Sequence, residues 1–93
     1  MKIAEIKRKA VPVLQKHHIL RAGVFGSYAT NKATKKSDLD LLVELGSKIS
    51  LLDFIGIKLE LEETLGVPVD LVEYKAIKPL LKERILKQEV SIL

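Results

Sequence analysis

The sequence predicts an α/β fold, a small sheet flanked by helices, from three observations. Two apolar runs, Ile19–Phe25 and the Leu41-Leu42-Val43 that follows Asp38-Leu39-Asp40, read as neighbouring strands of one sheet. A third run, residues 67–73, follows a helix stop and reads as another short strand. Around them, apolar residues recur at helical spacing in three segments. Ninety-three residues with 47% apolar content are expected to make one domain, 1–93, with a thin core.

Each element has its own signal. Ile3, Ile6, Ala10, Val13, Leu14 and His17 share one face of an N-terminal helix that should cover the sheet, with Pro12 kinking it or opening its second half. Ser50 and Asp53 resemble a capping box opening a helix over Leu51–Leu65, which Gly66 and Pro68 stop. Gly56 inside that helix costs about 1 kcal/mol relative to Ala, which points to close packing there. Pro79 at the first helical position starts a last amphipathic helix carrying Leu80, Leu81, Ile85 and Leu86, with Ile77 just ahead of it. The apolar tail, residues 90–93, is expected to dock on the domain or to pair with another subunit. His17 and His18 diverge by about 100° on a helix, so they do not readily share an ion and are read as structural or surface residues.

The chemistry is concentrated in one spacing: Gly26-Ser27, ten residues, then Asp38-Leu39-Asp40. From average residue usage it arises by chance in about one chain in a thousand of this length. Asp suits strand interiors poorly, so two of them at a strand need a reason. Side chains alternate across a strand, which places Asp38 and Asp40 on one face, with Leu42 and Glu44 continuing it. Leu39, Leu41, Val43 and Leu45 line the other face, leaving one side for a core and one for a site. Two adjacent carboxylates repel, and a divalent cation with a preference for hard oxygen ligands, Mg²⁺ above all, resolves the conflict.

Gly26 ends the first strand where the backbone must turn and approach a ligand without a Cβ in the way. Ser27 adds a hydroxyl beside free backbone N–H groups, and a short helix beginning near Tyr28 would bring partial positive charge to a phosphate. Nucleotidyl transfer with two cations calls for a third carboxylate, and Asp70 is the candidate, facing the same way as Val72; Glu73 has the opposite parity.

On these residues the chain resembles the minimal nucleotidyltransferases of the DNA polymerase β superfamily, whose mark is Gly-Ser-x10-Asp-x-Asp. The resemblance covers nearly the whole chain and includes Val69-Asp70-Leu71-Val72 and the closing Lys82-Glu83-Arg84-Ile85-Leu86. It implies a small mixed β-sheet flanked by helices and Mg²⁺-dependent use of ATP, with two ions held by Asp38, Asp40 and Asp70. Gly26 and Ser27 would orient the phosphates, with Lys36 as a further phosphate-side residue. Members often act as antitoxins paired with a HEPN-domain toxin, and some transfer AMP to one of its tyrosines. One departure stands out: the family continues Gly-Ser-x-Ala with Arg-Gly, and this chain has Thr30-Asn31. Loss of the forked arginine cation weakens triphosphate binding or transition-state stabilisation, with Lys32, Lys35 and Lys36 as replacement point charges. The alternative reading is a binding module that keeps the fold and neutralises its partner by occlusion.

Composition narrows the rest. Cysteine is absent, which excludes disulfides and thiolate metal sites, and no signal peptide or membrane-length apolar run is visible. The cytoplasm is the expected location and no membrane partner is expected. A net charge of +4 with interspersed signs suits an anionic nucleotide or an acidic partner face, while four aromatics and no concentrated basic stripe argue against nucleic acid.

Overall fold

Periodicity translates directly into elements in the computed structural model, which describes all 93 residues. Helix α1 (Ile3–Lys16) leads into strand β1 (Ile19–Phe25) and a 3₁₀ turn (Gly26–Tyr28). Strand β2 (Leu39–Leu45), helix α2 (Leu51–Leu65) and strand β3 (Val69–Glu73) follow, then a second 3₁₀ turn (Tyr74–Ala76), helix α3 (Pro79–Gln88) and strand β4 (Val90–Ser91). The sheet runs β3-β2-β1-β4. β2 and β3 are parallel, joined through α2, and β1 is antiparallel to both β2 and β4, so the sheet is mixed.

One face of the sheet carries the core. Ile6, Ala10 and Leu14 of α1 and Ile57, Leu61 and Leu65 of α2 meet Ala22, Val24, Leu39, Leu41, Val43, Val69 and Leu71. Each fully buried aliphatic side chain here contributes about 1.5–3 kcal/mol. The termini of α2 follow the sequence closely: Ser50 and Asp53 form a reciprocal capping box, and Gly66 closes the helix at φ 74°. The two ends therefore fix where β3 begins.

Three expectations change, and the tail takes the first of its two expected courses. Pro12 lies on the exposed side of α1 and leaves it one continuous helix. Gly56 faces open space, with nothing within 4 Å of where a Cβ would stand, so close packing within the fold is not why it is there. α3 buries none of its residues; Leu80 is 97% exposed, and only Ile85 and Leu86 lean inward. The tail docks on its own chain, β4 pairing with β1 at Gly23 and Val24 while Ile92 is buried. The N–H groups of Ile92 and Leu93 both donate to the Ala22 carbonyl, at 2.9 and 3.1 Å. His17 bonds Glu60 on α2 through Nε2 at 2.8 Å, tying the two helices together as a structural residue.

Candidate active site

Three chain segments reach one end of the sheet: the end of β1 and the beginnings of β2 and β3. Because β2 and β3 are parallel and start level, Leu39 pairs with Val69 and Asp40 with Asp70, while Phe25 of β1 pairs with Asp40 from the other side. Paired residues on adjacent strands point the same way, about 5 Å apart, so Asp40 and Asp70 stand side by side on the face away from the core. Asp38 precedes β2 by one residue and is exposed, as is Asp70, whereas Asp40 is partly buried. Burial first, then the Asp70 and Asp38 charges, push the Asp40 carboxyl up to about 6.

Gly26 explains itself at this point. Its φ is +70°, a left-handed conformation that costs L side chains strain, and a Cβ there would collide with Oδ2 of Asp40. The turn thus presses its backbone onto the carboxylate that the strand register places beside Asp70. The one-turn helix begins at Gly26 itself, two residues earlier than expected, and Phe25 rather than Ser27 precedes it without a side-chain cap. Ala29 and Thr30 N–H groups both donate to the Gly26 carbonyl at 3.1 Å, and Lys32 N–H donates to Ser27 at 2.8 Å.

Thr30-Asn31 acquires a structural meaning that the sequence concealed. The Thr30 hydroxyl donates to the Gly26 carbonyl at 3.2 Å and stiffens the turn. Asn31 has φ +60°, and Asn is among the few non-glycine residues that tolerate it. The backbone conformation that glycine would favour is therefore retained at position 31, and the lost feature is the cation at position 30. Lys36, the expected phosphate-side residue, has an exposed side chain and forms no ion pair with Asp38, Asp40 or Asp70.

The middle of the same face holds a group that sequence reading missed. Tyr74 donates its hydroxyl to Glu89, Arg21 pairs with Glu89 at 3.5 Å, and the Arg21 guanidinium lies 4.1 Å over the Tyr74 ring. Burial and then the Glu89 carboxylate push the Tyr74 hydroxyl well above its ordinary value. Glu89 lies against Gly23, where a Cβ would strike it, and Gly23 pairs with Leu42. Leu42, expected on the site face, is accordingly buried with 0% exposure, so it separates the carboxylate end from the exposed Glu44 further along that face. A cleft of about 600 Å³ lined by Glu44, Lys48, Glu73 and Tyr74 lies at the far ends of β2 and β3.

The donor set fits a hard divalent cation completed by substrate. Asp38, Asp40 and Asp70 do not converge into a ready three-carboxylate metal cage. Mg²⁺ seldom uses one; it takes one or two carboxylates and fills its sphere with substrate phosphates and water. Burial and then the repulsion from Asp70 and Asp38 raise Asp40, and a bound cation would relieve the repulsion.

Comparison with known proteins agrees with this geometry. The family model described as "Polymerase beta, Nucleotidyltransferase" matches residues 8–93. A candidate protein adenylyltransferase of Methanocaldococcus jannaschii, MJ0435, is 54% identical over 93 residues, all of both chains. A solved structure described as a candidate minimal nucleotidyltransferase is 35% identical, with TM-score 0.82, over 97% of this chain and 95% of that one. The MNT antitoxin complex with a tri-AMPylated Shewanella oneidensis HEPN toxin shares the fold at 18% identity, with TM-score 0.74, over 97% of this chain and 71% of that one.

Proposed function

The chain belongs to the polymerase β nucleotidyltransferase family, and from that premise we propose that it transfers AMP from ATP to a tyrosine hydroxyl of a HEPN-domain toxin and so acts as its antitoxin in the cytoplasm. The observation that carries the reading is the register pair Asp40–Asp70 with Gly26 pressed against Asp40. A transferase that must hold a polyanion beside its own carboxylates needs this juxtaposition; a purely structural sheet end gains nothing from it.

Asp38, Asp40 and Asp70 would hold Mg²⁺, two ions in the full reaction. When bound, Mg²⁺ supplies charge neutralisation for the triphosphate and lowers the acceptor hydroxyl's affinity for its proton. The Gly26-Ser27 turn orients the phosphates through backbone N–H groups and the Ser27 hydroxyl, with the Thr30 bond to Gly26 keeping the turn rigid. The acceptor oxygen forms its bond to the α-phosphorus as the bond to pyrophosphate breaks, and the hydroxyl proton leaves to the exposed carboxylate side of the site. Most of the rate comes from alignment and charge neutralisation.

The relatives support this acceptor class. A HEPN toxin is AMPylated in the S. oneidensis complex, and the M. jannaschii relative bears the description of a protein adenylyltransferase. A second reading, occlusion without turnover, is favoured by one observation: position 30 carries a hydroxyl committed to the turn in place of a phosphate-side cation.

Calorimetric titration with ATP, with and without Mg²⁺, tests the site. Mg²⁺-dependent binding that disappears in Asp38→Asn/Asp40→Asn is expected. Intact-mass measurement of a co-purified HEPN partner after incubation then separates the readings: one added adenylyl group per modified tyrosine supports transfer, and toxin silenced with no mass change supports occlusion. Absence of binding at millimolar ATP, with the partner present, refutes both the nucleotide site and the transfer.

A further inference from the structure

α2 is apolar on both sides. Ile57, Leu61 and Leu65 face the core, yet Leu51, Leu52, Ile55 and Leu59 are 74, 80, 39 and 55% exposed on the outer side. A helix apolar all round is normally covered on both sides, and soluble monomers rarely leave such a stripe open. Gly56 sits in the middle of the stripe facing open space, beside a shallow recess bounded by Leu59 and Glu63. Ile55 and Gly56 are adjacent on the helix, a projecting side chain beside a position that has none.

We propose that this stripe joins two copies of the chain, α2 packing antiparallel on α2 about a two-fold axis between Ile55 and Gly56. The register is over-determined. When Leu52 lies on Leu59 of the second copy, Ile55 falls on Gly56 of the second copy, filling the space that lacks a Cβ, and each contact occurs twice by symmetry. The same register brings Lys48, just ahead of the helix, towards Glu63 of the second copy. Both are exposed and neither has an ion-pair partner within its own chain, whereas Glu60 and Glu62 on the same helix are taken by His17 and Lys58. Antiparallel packing also sets the two helix dipoles in opposition.

The association is concentration-dependent, because one helix pair buries less than a standard interface; a dissociation constant of about 10–500 µM is expected. It leaves the carboxylate end of the sheet free, so it stands independently of the transfer reading, and ATP titration reports that reading separately.

Sedimentation velocity over about 1–1000 µM protein tests it. The wild type is expected to shift from monomer to dimer within this range. Gly56→Leu fills the recess and improves helix propensity, so it should melt no lower than wild type yet weaken dimerisation at least tenfold. Lys48→Glu and Glu63→Lys should each weaken the dimer about threefold, and the double reversal should restore it. A wild type monomeric throughout, or a folded Gly56→Leu variant that dimerises as tightly as wild type, overturns the proposal and leaves the stripe to a different partner.

Discussion

Asp40→Asn should stabilise the protein while destroying its site, and the size of the gain follows from the structure. The Asp40 carboxyl is pushed from an ordinary 3.8 to about 6 by burial, by Asp70 and by Asp38. A raised acid pKa means that the folded state binds the proton more tightly than the unfolded chain does. Asp40's contribution is therefore most favourable below pH 3.8 and is lost as pH rises through about 6. Roughly two units at 1.36 kcal/mol each set a ceiling of about 3 kcal/mol at pH 7, and solvent screening around a carboxyl that still meets water reduces it to about 1–2 kcal/mol. For a domain of this size that is about 5–10 °C in melting temperature.

Asn keeps the shape and removes the charge. Urea unfolding at pH 7 in EDTA should show the variant more stable by about 1–2 kcal/mol, with the gap shrinking towards pH 4 as the wild-type carboxyl protonates in the folded state. Glu60 and Glu62, whose values are lowered by His17 and by the Val69 N–H respectively, lose their contributions as pH falls, but both proteins share them and the difference cancels. Millimolar Mg²⁺ at pH 7 should also narrow the gap. A variant no more stable than wild type in EDTA at pH 7 would refute the electrostatic reasoning.

Other substitutions probe other parts of the fold. Gly26→Ala introduces strain at φ +70° and a collision with Asp40, so circular dichroism melts should show a loss of about 1–3 kcal/mol, with ATP binding reduced beyond what that loss explains. Asn31→Gly should change stability by no more than about 0.5 kcal/mol, and Asn31→Val should cost about 1–2 kcal/mol by the same melts, because only the second fights the positive φ. Tyr74→Phe leaves Glu89, whose side chain is 9% exposed, with an unmet acceptor; urea unfolding should register a loss of about 1–2 kcal/mol while ATP affinity is unchanged.

What could be read in the sequence divides along a physical line. Features set within one turn or one strand were legible: the Ser50–Asp53 box, the Gly66 stop, and the alternation that puts Leu39, Leu41 and Val43 inward. Asp40, with Asp38 just ahead of the strand, announced a site because it violates strand propensity without a local compensation. Features set by contacts distant in sequence were not legible. Leu42 is buried because the chain returns as Tyr74 and Glu89 to close over that face, and the tail's choice of β1 depends on an edge that exists only after β2 and β3 have paired. Gly56 was misread because helix propensity reports that a glycine needs a reason, not whether the reason lies inside the chain.

The third carboxylate shows how a local signal becomes a site. Nothing in residues 67–73 states which residue of β2 will face Asp70. That is decided by α2: its amino end is fixed by the capping box at Ser50, its carboxyl end by Gly66, and the Pro68 carbonyl then accepts from Leu39 N–H at 2.8 Å, locking the two strand starts level. A slip of one residue in this register would bring Val69 or Leu71 beside Asp40 and turn Asp70 to the opposite face. The repulsion between Asp40 and Asp70 opposes the register that the helix caps and the Leu39–Val69 core pairing impose. Those local interactions hold the carboxylates together when no cation is bound, which is why the cost concentrates on Asp40, the member of the pair that the sheet partly buries.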